Sequence, residues 1–265
     1  MPKIFDYKRG TTPLLVSLPH GGIHIPDAIA DRMTPTALET PDTDWHVGML
    51  YDFASSIGAS VISATHSRYV IDLNRNPAGA PLYSGANNTE LVPLTTFNHS
   101  SIYRDNYQPS KTEIADRISH YWQPYHETLE RELSKIKAHH GHAVLFDGHS
   151  IRSKVDRFYD GQIPDLNLGT ANGTSATPEL TVLAMEVLQQ SNYSVVLDDR
   201  FTGGHITRAN GAPEADVHAI QLELTWRNYM EENPPYRYLP DRAQKLQIVL
   251  KDLLQEIIEW QPAAI

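Results

Sequence analysis

Three polar side chains stand at or inside apolar, β-forming runs of the chain. His20 follows Leu14-Leu15-Val16-Ser17-Leu18-Pro19, His149 follows Ala143-Val144-Leu145-Phe146-Asp147-Gly148, and Glu223 interrupts the run from Val217 to Leu224. In an open α/β sheet, ligands bind in the crevice beyond the carboxyl ends of the strands, so polar clusters there are where chemistry is expected. Two neutral imidazoles and one carboxylate hold Zn²⁺ and leave a position for water. By spacing alone the carboxylate is Asp44, Asp42, Asp147 or Glu223. Arginines accompany the cluster: Arg68 and Arg75 bracket residues 69–73, Arg152 follows His149, and Arg208 ends a Gly203-Gly204 loop. The planar guanidinium donates two parallel hydrogen bonds to a carboxylate. The combination points to a metal-assisted hydrolase for a small anionic substrate.

Taken singly, most of these residues have ordinary uses. An Asp at a helix start, as Asp44 is expected to be, offsets the helix dipole, and Asp147 before Gly148 suits a turn. Arg68 stands four residues before Asp72 and is a candidate ion-pair partner for it. Glu223 differs, because a carboxylate inside Ala219-Ile220-Gln221-Leu222-Glu223-Leu224 is expected to be buried and so to need a partner.

The positioning elements follow from periodicity. Strands are expected over 14–18, 60–64, 69–73, 143–147, 193–197 and 217–224. A helix opens at 41–44, with Asp42 or Thr43 as its N-cap and Val47, Leu50, Tyr51 and Ala54 on its inner face. Further helices are expected over 109–138, kinked or divided at Pro124, over 178–190 behind Thr177, and over 240–260. The stretch from Gly79 to Tyr107 has no period, and a connection of that length in a compact domain is usually functional or lid-like. Alternating strands and helices without a linker indicate one α/β domain over residues 1–265.

Composition narrows the function. A net charge of −10 and a pI near 5.7 disfavour nucleic acid and anionic membrane surfaces as partners. With no cysteine among 265 residues, disulfides, thiolate metal sites and cysteine nucleophiles are excluded together. No apolar run has signal-peptide or membrane-span character, so a cytoplasmic protein is expected. Phosphate-loop and dinucleotide glycine motifs, His-Glu-x-x-His and the Gly-x-Ser-x-Gly elbow are all absent.

Seven motifs in order carry a family resemblance: Leu18-Pro19-His20-Gly21-Gly22, Asp42-Thr43-Asp44-Trp45-His46, the segment from Ser67 to Arg75, Asp147-Gly148-His149-Ser150-Ile151-Arg152-Ser153, Pro164 to Thr170, Gly203-Gly204-His205-Ile206-Thr207-Arg208, and Gln221-Leu222-Glu223-Leu224. Over nearly its whole length the chain resembles the N-formylglutamate amidohydrolase family, and Asp-Thr-Asp-Trp-His and Gly-Gly-His-Ile-Thr-Arg resemble its deformylase branch in particular. The resemblance implies a mixed central sheet flanked by helices, similar to the zinc carboxypeptidases (phosphorylase/hydrolase-like). It implies release of formate from N-formyl-L-glutamate, a late step of one route of histidine degradation. Carried over motif by motif, it makes His20, Asp44 and His149 ligands of a divalent metal, Zn²⁺, and Glu223 the general base. Arg68, Arg75 and Arg208 are then expected to bind the substrate carboxylates, and Asp147 to orient a histidine or the turn. One departure concerns the third ligand: the carboxypeptidase pair His-x-x-Glu is absent, because Ile23 stands three residues after His20. Two rival functions are a zinc deacylase for another N-acyl acidic amino acid and a non-catalytic binder of an acidic metabolite.

Overall fold

In the computed structural model, which describes residues 3–80, 82 and 88–263, seven strands form one mixed sheet: β1 (Phe5–Lys8), β2 (Leu14–Leu18), β3 (Ser60–Ala64), β4 (Ala143–Ile151), β5 (Leu166–Gly169), β6 (Val195–Leu197) and β7 (Val217–Thr225). Their order is β1-β3-β2-β4-β7-β5-β6. The central strands β3, β2, β4 and β7 are mutually parallel, β1 and β5 run antiparallel to their inner neighbours β3 and β7, and β6 is parallel to β5. Strands β2 and β4 are buried along their whole length, which explains their continuous apolar runs.

The helices are α1 (Asp27–Ala30), α2 (Pro35–Leu38), α3 (Val47–Leu50), α4 (Lys111–Arg117), α5 (Gln123–His140), α6 (Pro178–Gln189), α7 (His205–Asn210) and α8 (Pro240–Glu259). Because side chains alternate across a strand, β4 sends Val144 and Phe146 to one face and Leu145 to the other. The first face is covered by α3, α6 and α8. Helix α8 alone inserts Ala243, Leu246, Leu250, Leu253, Leu254 and Ile257, a spacing that keeps one helical stripe against the sheet. The second face is covered by α5, through Tyr125, Leu129, Leu133 and Ile136.

Several expected elements differ. Residues 69–73 form turns rather than a strand: Tyr69, Val70, Ile71 and Leu73 are buried in the second core, but the backbone bends so that Asn74 N–H donates to Asp72 Oδ1. Burial without a ladder leaves the same apolar pattern. Strand β4 runs four residues past Asp147, so Gly148 and His149 lie in the sheet and not in a loop. The segment opening at 41–44 is helical only over Val47–Leu50, followed by a 3₁₀ turn at Ala54–Ile57, although Val47, Leu50, Tyr51 and Ala54 are all buried as expected. Its N-cap is His46, and the Asp42 carboxylate instead accepts from Tyr69 O–H and Phe97 N–H. The long helix is divided near Pro124 as expected: a π-helical turn over 118–122 precedes α5. A proline lacks the N–H for the i−4 carbonyl and its ring crowds that carbonyl, and widening the preceding turn relieves both. Strands β1 and β5 and helices α1, α2 and α7 were not anticipated. Of the aperiodic stretch 79–107, residues 81 and 83–87 lie outside the described residues. No helix among the described residues is long and apolar enough to cross a membrane.

Candidate active site

Strand register assembles the site. Ser17 of β2 lies beside Asp147 of β4, which lies beside Gln221 of β7, and one pleat further His149 lies beside Glu223. With period-two alternation these five side chains share the second face of the sheet, at the carboxyl end of its parallel strands. His20 arrives from the turn after β2, and its carbonyl accepts from Asp44 N–H, at 3.0 Å, bringing Asp44 alongside. Asp44 Oδ2 in turn accepts from Ser150 N–H at 3.1 Å.

His20, Asp44 and His149 each present a ligating atom within 4.8 Å of the others, and all three are buried. Asp44 Oδ2 lies 3.9 Å from His20 Nδ1 and 3.3 Å from His149 Nδ1. The opposite nitrogen of each imidazole meets a different carboxylate: His20 Nε2 lies 2.8 Å from Asp72 Oδ1, and His149 Nε2 lies 2.9 Å from Asp147 Oδ2. Each imidazole thus has Nε2 against a carboxylate and Nδ1 toward Asp44, and a carboxylate on the far nitrogen is the arrangement in which metal-ligating histidines are usually held. Asp147 is itself fixed by Ser17 Oγ–H, which donates to Oδ1 at 2.9 Å, and Tyr125 O–H stands 3.0 Å behind Ser17.

The electrostatics suit a cation. Burial and then Arg68 push His20 below its ordinary pKa. Burial also opposes charge on His149, but Asp147 and Asp44 hold it well above its ordinary value. The cluster therefore favours positive charge beside His149, which a proton or a metal ion can supply. Burial pushes the Glu223 carboxyl up to about 8, with Asp44 and Asp147 adding to the shift and His149 and Arg68 opposing it.

These groups line a pocket whose walls include Arg68, Arg75 and Arg200 together with Phe97, Phe158 and Phe201. Of the three expected arginines, the structure brings Arg68 and Arg75 to the pocket. Arg68 Nη2 donates to Asp72 Oδ2 at 2.6 Å, and Nη1 donates to Asp42 O at 3.5 Å and lies 4.0 Å from Asp44 Oδ1. Arg75 donates through Nη2 to Thr89 Oγ1 at 2.8 Å and through Nε to Thr89 O at 3.2 Å. Arg208 lies outside this lining, bordering a second pocket that shares Leu82 with the first. It sits in the last turn of α7, where its side chain folds back to donate to Gly203 O and Thr202 Oγ1. Arg152 also turns away, over the Trp226 and Tyr236 rings.

Sequence reasoning missed Asp72 in its role toward His20, and missed Asn74, Gln221 and Arg200. Asn74 Nδ2 approaches His149 Nε2 at 3.0 Å, while Asn74 Oδ1 accepts from Ile206 N–H at 2.8 Å. Gln221 Oε1 accepts from Gly204 N–H at 2.8 Å. A Cβ on Gly204 would stand 2.1 Å from Asn74 Nδ2, so only glycine admits the amide there. The usable signal for Gln221 was a polar residue spaced two from Glu223 inside an apolar strand. Asp72 carried the same signal as Glu223, an acid inside an apolar run, but was read as a partner for Arg68, and Asn74 just beyond that run carried none.

A sequence model of the N-formylglutamate amidohydrolase family matches residues 12–230. The chain is 46% identical over 261 residues to an N-formylglutamate deformylase of Pseudomonas putida, spanning 98% of this chain and 97% of that protein. It is 44% identical to an N-formylglutamate deformylase of Pseudomonas aeruginosa, spanning 98% of each. Among solved structures, an N-formylglutamate amidohydrolase from Ralstonia eutropha JMP134 shares the fold, with a TM-score of 0.81 at 22% identity, covering 96% of this chain and 98% of that one. With the order of its motifs, its mixed sheet and near full-length identity above 40% all agreeing, the chain belongs to the N-formylglutamate amidohydrolase family.

Proposed function

We propose that this chain is a metal-dependent hydrolase, one catalytic domain throughout, that cleaves N-formyl-L-glutamate to L-glutamate and formate in histidine degradation. The observation that carries the reading is the convergence of His20, Asp44 and His149 in a buried cluster with Glu223 on the same pocket wall. Support for the substrate comes from the two relatives named as N-formylglutamate deformylases.

The donor set fits a divalent cation. Two imidazole Nδ1 atoms and a carboxylate oxygen converge, with Asp72 and Asp147 holding the far side of each ring, and three nitrogen and oxygen ligands with an open position suit catalytic Zn²⁺. When bound, the cation supplies Lewis-acid polarisation of the formyl oxygen and acidifies water. Glu223, one strand over from His149, accepts the proton of the attacking water and delivers it to the departing glutamate nitrogen. A carboxyl whose affinity for protons is raised by burial suits both transfers, since it takes a proton more readily than an exposed glutamate and still releases it. Arg75 contributes positive charge to the substrate pocket. Arg68 keeps Asp42, Asp44 and Asp72 from facing one another uncompensated, and Arg208 acts on the loop at Gly203. The zinc-carboxypeptidase-like character implied by the motifs enters here as a likeness of roles: two histidines, one acid and a late-strand glutamate.

The test is formate release from N-formyl-L-glutamate by metal-loaded, chelated and Glu223→Gln protein, with N-acetyl-L-glutamate as the comparison substrate. Loaded protein is expected to turn over the formyl compound, chelated protein to be inactive and restored by zinc, and Glu223→Gln to bind metal while losing about 10²–10⁴-fold in kcat. Full activity after chelation refutes the metal role, and equal turnover of the acetyl compound refutes the formyl assignment.

A further inference from the structure

Behind the cluster, Leu73, Asn74 and Arg75 turn three successive carbonyls toward donors on other elements. The backbone from Arg68 to Arg75 is in no strand, and Leu73 and Asn74 are buried, so their carbonyls need partners that a ladder does not supply. His126 Nε2 lies 2.8 Å from Leu73 O, His205 N–H donates to Asn74 O at 3.3 Å, and Trp122 Nε1–H donates to Arg75 O at 3.0 Å. We propose that Trp122 and His126 are positioning residues: by fixing the Leu73 and Arg75 carbonyls they set where Asp72 meets His20 and where Asn74 meets His149. This assignment rests on the metal-site reading above and names what holds that site from behind.

The pair forms one rigid plate. Trp122, the N-cap of α5, and His126 stand four residues apart and so share a helix face. Their rings stack with centroids 3.6 Å apart at 17°. His205 of α7 completes the group, its ring 5.4 Å from each. Burial pushes His126 down to about 3, with the Leu73 carbonyl opposing and His205 adding, so the ring is neutral. A carbonyl only accepts, which puts the one ring proton of His126 on Nε2. Trp122 is the last residue of the π-helical turn over 118–122. That turn closes i→i+5 bonds and takes up an extra residue, so it rotates the Trp122–His126 face around the axis relative to α4; such turns recur at functional sites.

From these carbonyls the path to the proposed ligands is short. Leu73 C=O and Asn74 N–H are the two ends of one planar peptide unit. His126 grips the first end, and the second donates to Asp72 Oδ1 at 2.9 Å, the same oxygen that lies 2.8 Å from His20 Nε2. The next side chain, Asn74, brings Nδ2 to 3.0 Å from His149 Nε2. Tilting that peptide therefore displaces the partners of both imidazoles at once, and such partners govern how well a histidine holds a metal.

The experiment measures zinc affinity, by competition against a chelator of known affinity, and metal-free melting for wild type, His126→Phe, His126→Gln, Trp122→Phe and Leu133→Ala. His126→Phe and Trp122→Phe each keep a ring and remove the donor, whereas His126→Gln returns an N–H close to the position of Nε2. Leu133 packs in the same core about two turns further along α5, so its truncation reports destabilisation alone. Both Phe variants are expected to bind zinc about 3- to 30-fold more weakly. His126→Gln is expected to stay within about threefold of wild type, and Leu133→Ala to melt lower with zinc affinity also within about threefold. Wild-type zinc affinity in either Phe variant that melts cooperatively overturns the positioning role. So does a loss in His126→Gln or Leu133→Ala equal to that in His126→Phe. A wild type that binds no zinc overturns the metal-site reading itself, whereas a result confined to the variants overturns only the role of Trp122 and His126.

Discussion

Replacing Asp72 with Asn probes the point where the scaffold and the proposed metal site share one side chain. Asp72 is fully buried and receives His20 Nε2 at 2.8 Å, Arg68 Nη2 at 2.6 Å and Asn74 N–H at 2.9 Å. Although burial opposes its charge, Arg68 and then His20 hold its carboxyl well below the usual range, so it is an anion in the folded protein. Asn removes that charge and replaces one acceptor oxygen with a donor that faces either His20 or Arg68. Breaking one side of a buried ion pair costs about 3–5 kcal/mol, and in a chain of this size each kcal/mol lowers Tm by about 2–4 °C. The metal-free variant is therefore expected to melt about 6–20 °C lower. His20 also loses the partner that fixes its tautomer, a change that typically weakens metal affinity about 10- to 100-fold, or about 1.4–2.8 kcal/mol. Melting curves of metal-free protein and zinc competition against a chelator of known affinity measure the two effects separately. A variant with wild-type melting and zinc affinity within about threefold refutes both the charge argument and the role given to the Asp72–His20 contact.

Other perturbations test neighbouring parts of the argument. In Gly204→Ala the new methyl meets Asn74 Nδ2 at 2.1 Å, so a loss of about 1–3 kcal/mol by overpacking is expected, together with at least a tenfold fall in kcat/KM; adding Asn74→Ala is expected to recover the melting temperature without restoring activity. In Ser17→Ala, Asp147 Oδ1 loses its 2.9 Å donor, and a loss of about 1–3 kcal/mol with weaker zinc binding is expected, measured by melting and the same competition. Glu113 accepts from Arg32 and Arg117, and these bonds, Arg32 first, lower its pKa from 4.5 to about 2. A depressed carboxylate stabilises the fold above its unfolded pKa, and with solvent screening of this partly exposed pair about 1 kcal/mol is present at neutral pH and lost as pH falls from about 4.5 toward 2. Glu113→Gln is expected to flatten that part of the acid-unfolding profile; an unchanged profile refutes the pairing.

The residue pattern pointed to His20, His149 and Glu223 and to one α/β domain, while the family resemblance chose Asp44 among four candidate acids and implied a mixed sheet. Each histidine follows an apolar run, a strand end in a buried sheet carries that signature, and Glu223 is conspicuous because apolar strands rarely contain an acid. Tertiary structure alone decided how the set is held. Asp72 meets His20 from 52 residues away and Asn74 reaches His149 from 75, contacts that leave no local period. Residues 69–73 were misread because burial produces apolar runs whether or not a ladder forms, and only the hydrogen bonds separate strand from buried turn. The arginines show the same division. Their type announced an anionic substrate, but sheet order and loop path put Arg75 and Arg200 on the pocket wall, committed Arg68 to buried acids and turned Arg208 toward its own loop. Residue chemistry is local and can be read from the chain; which charge faces which partner is set by packing.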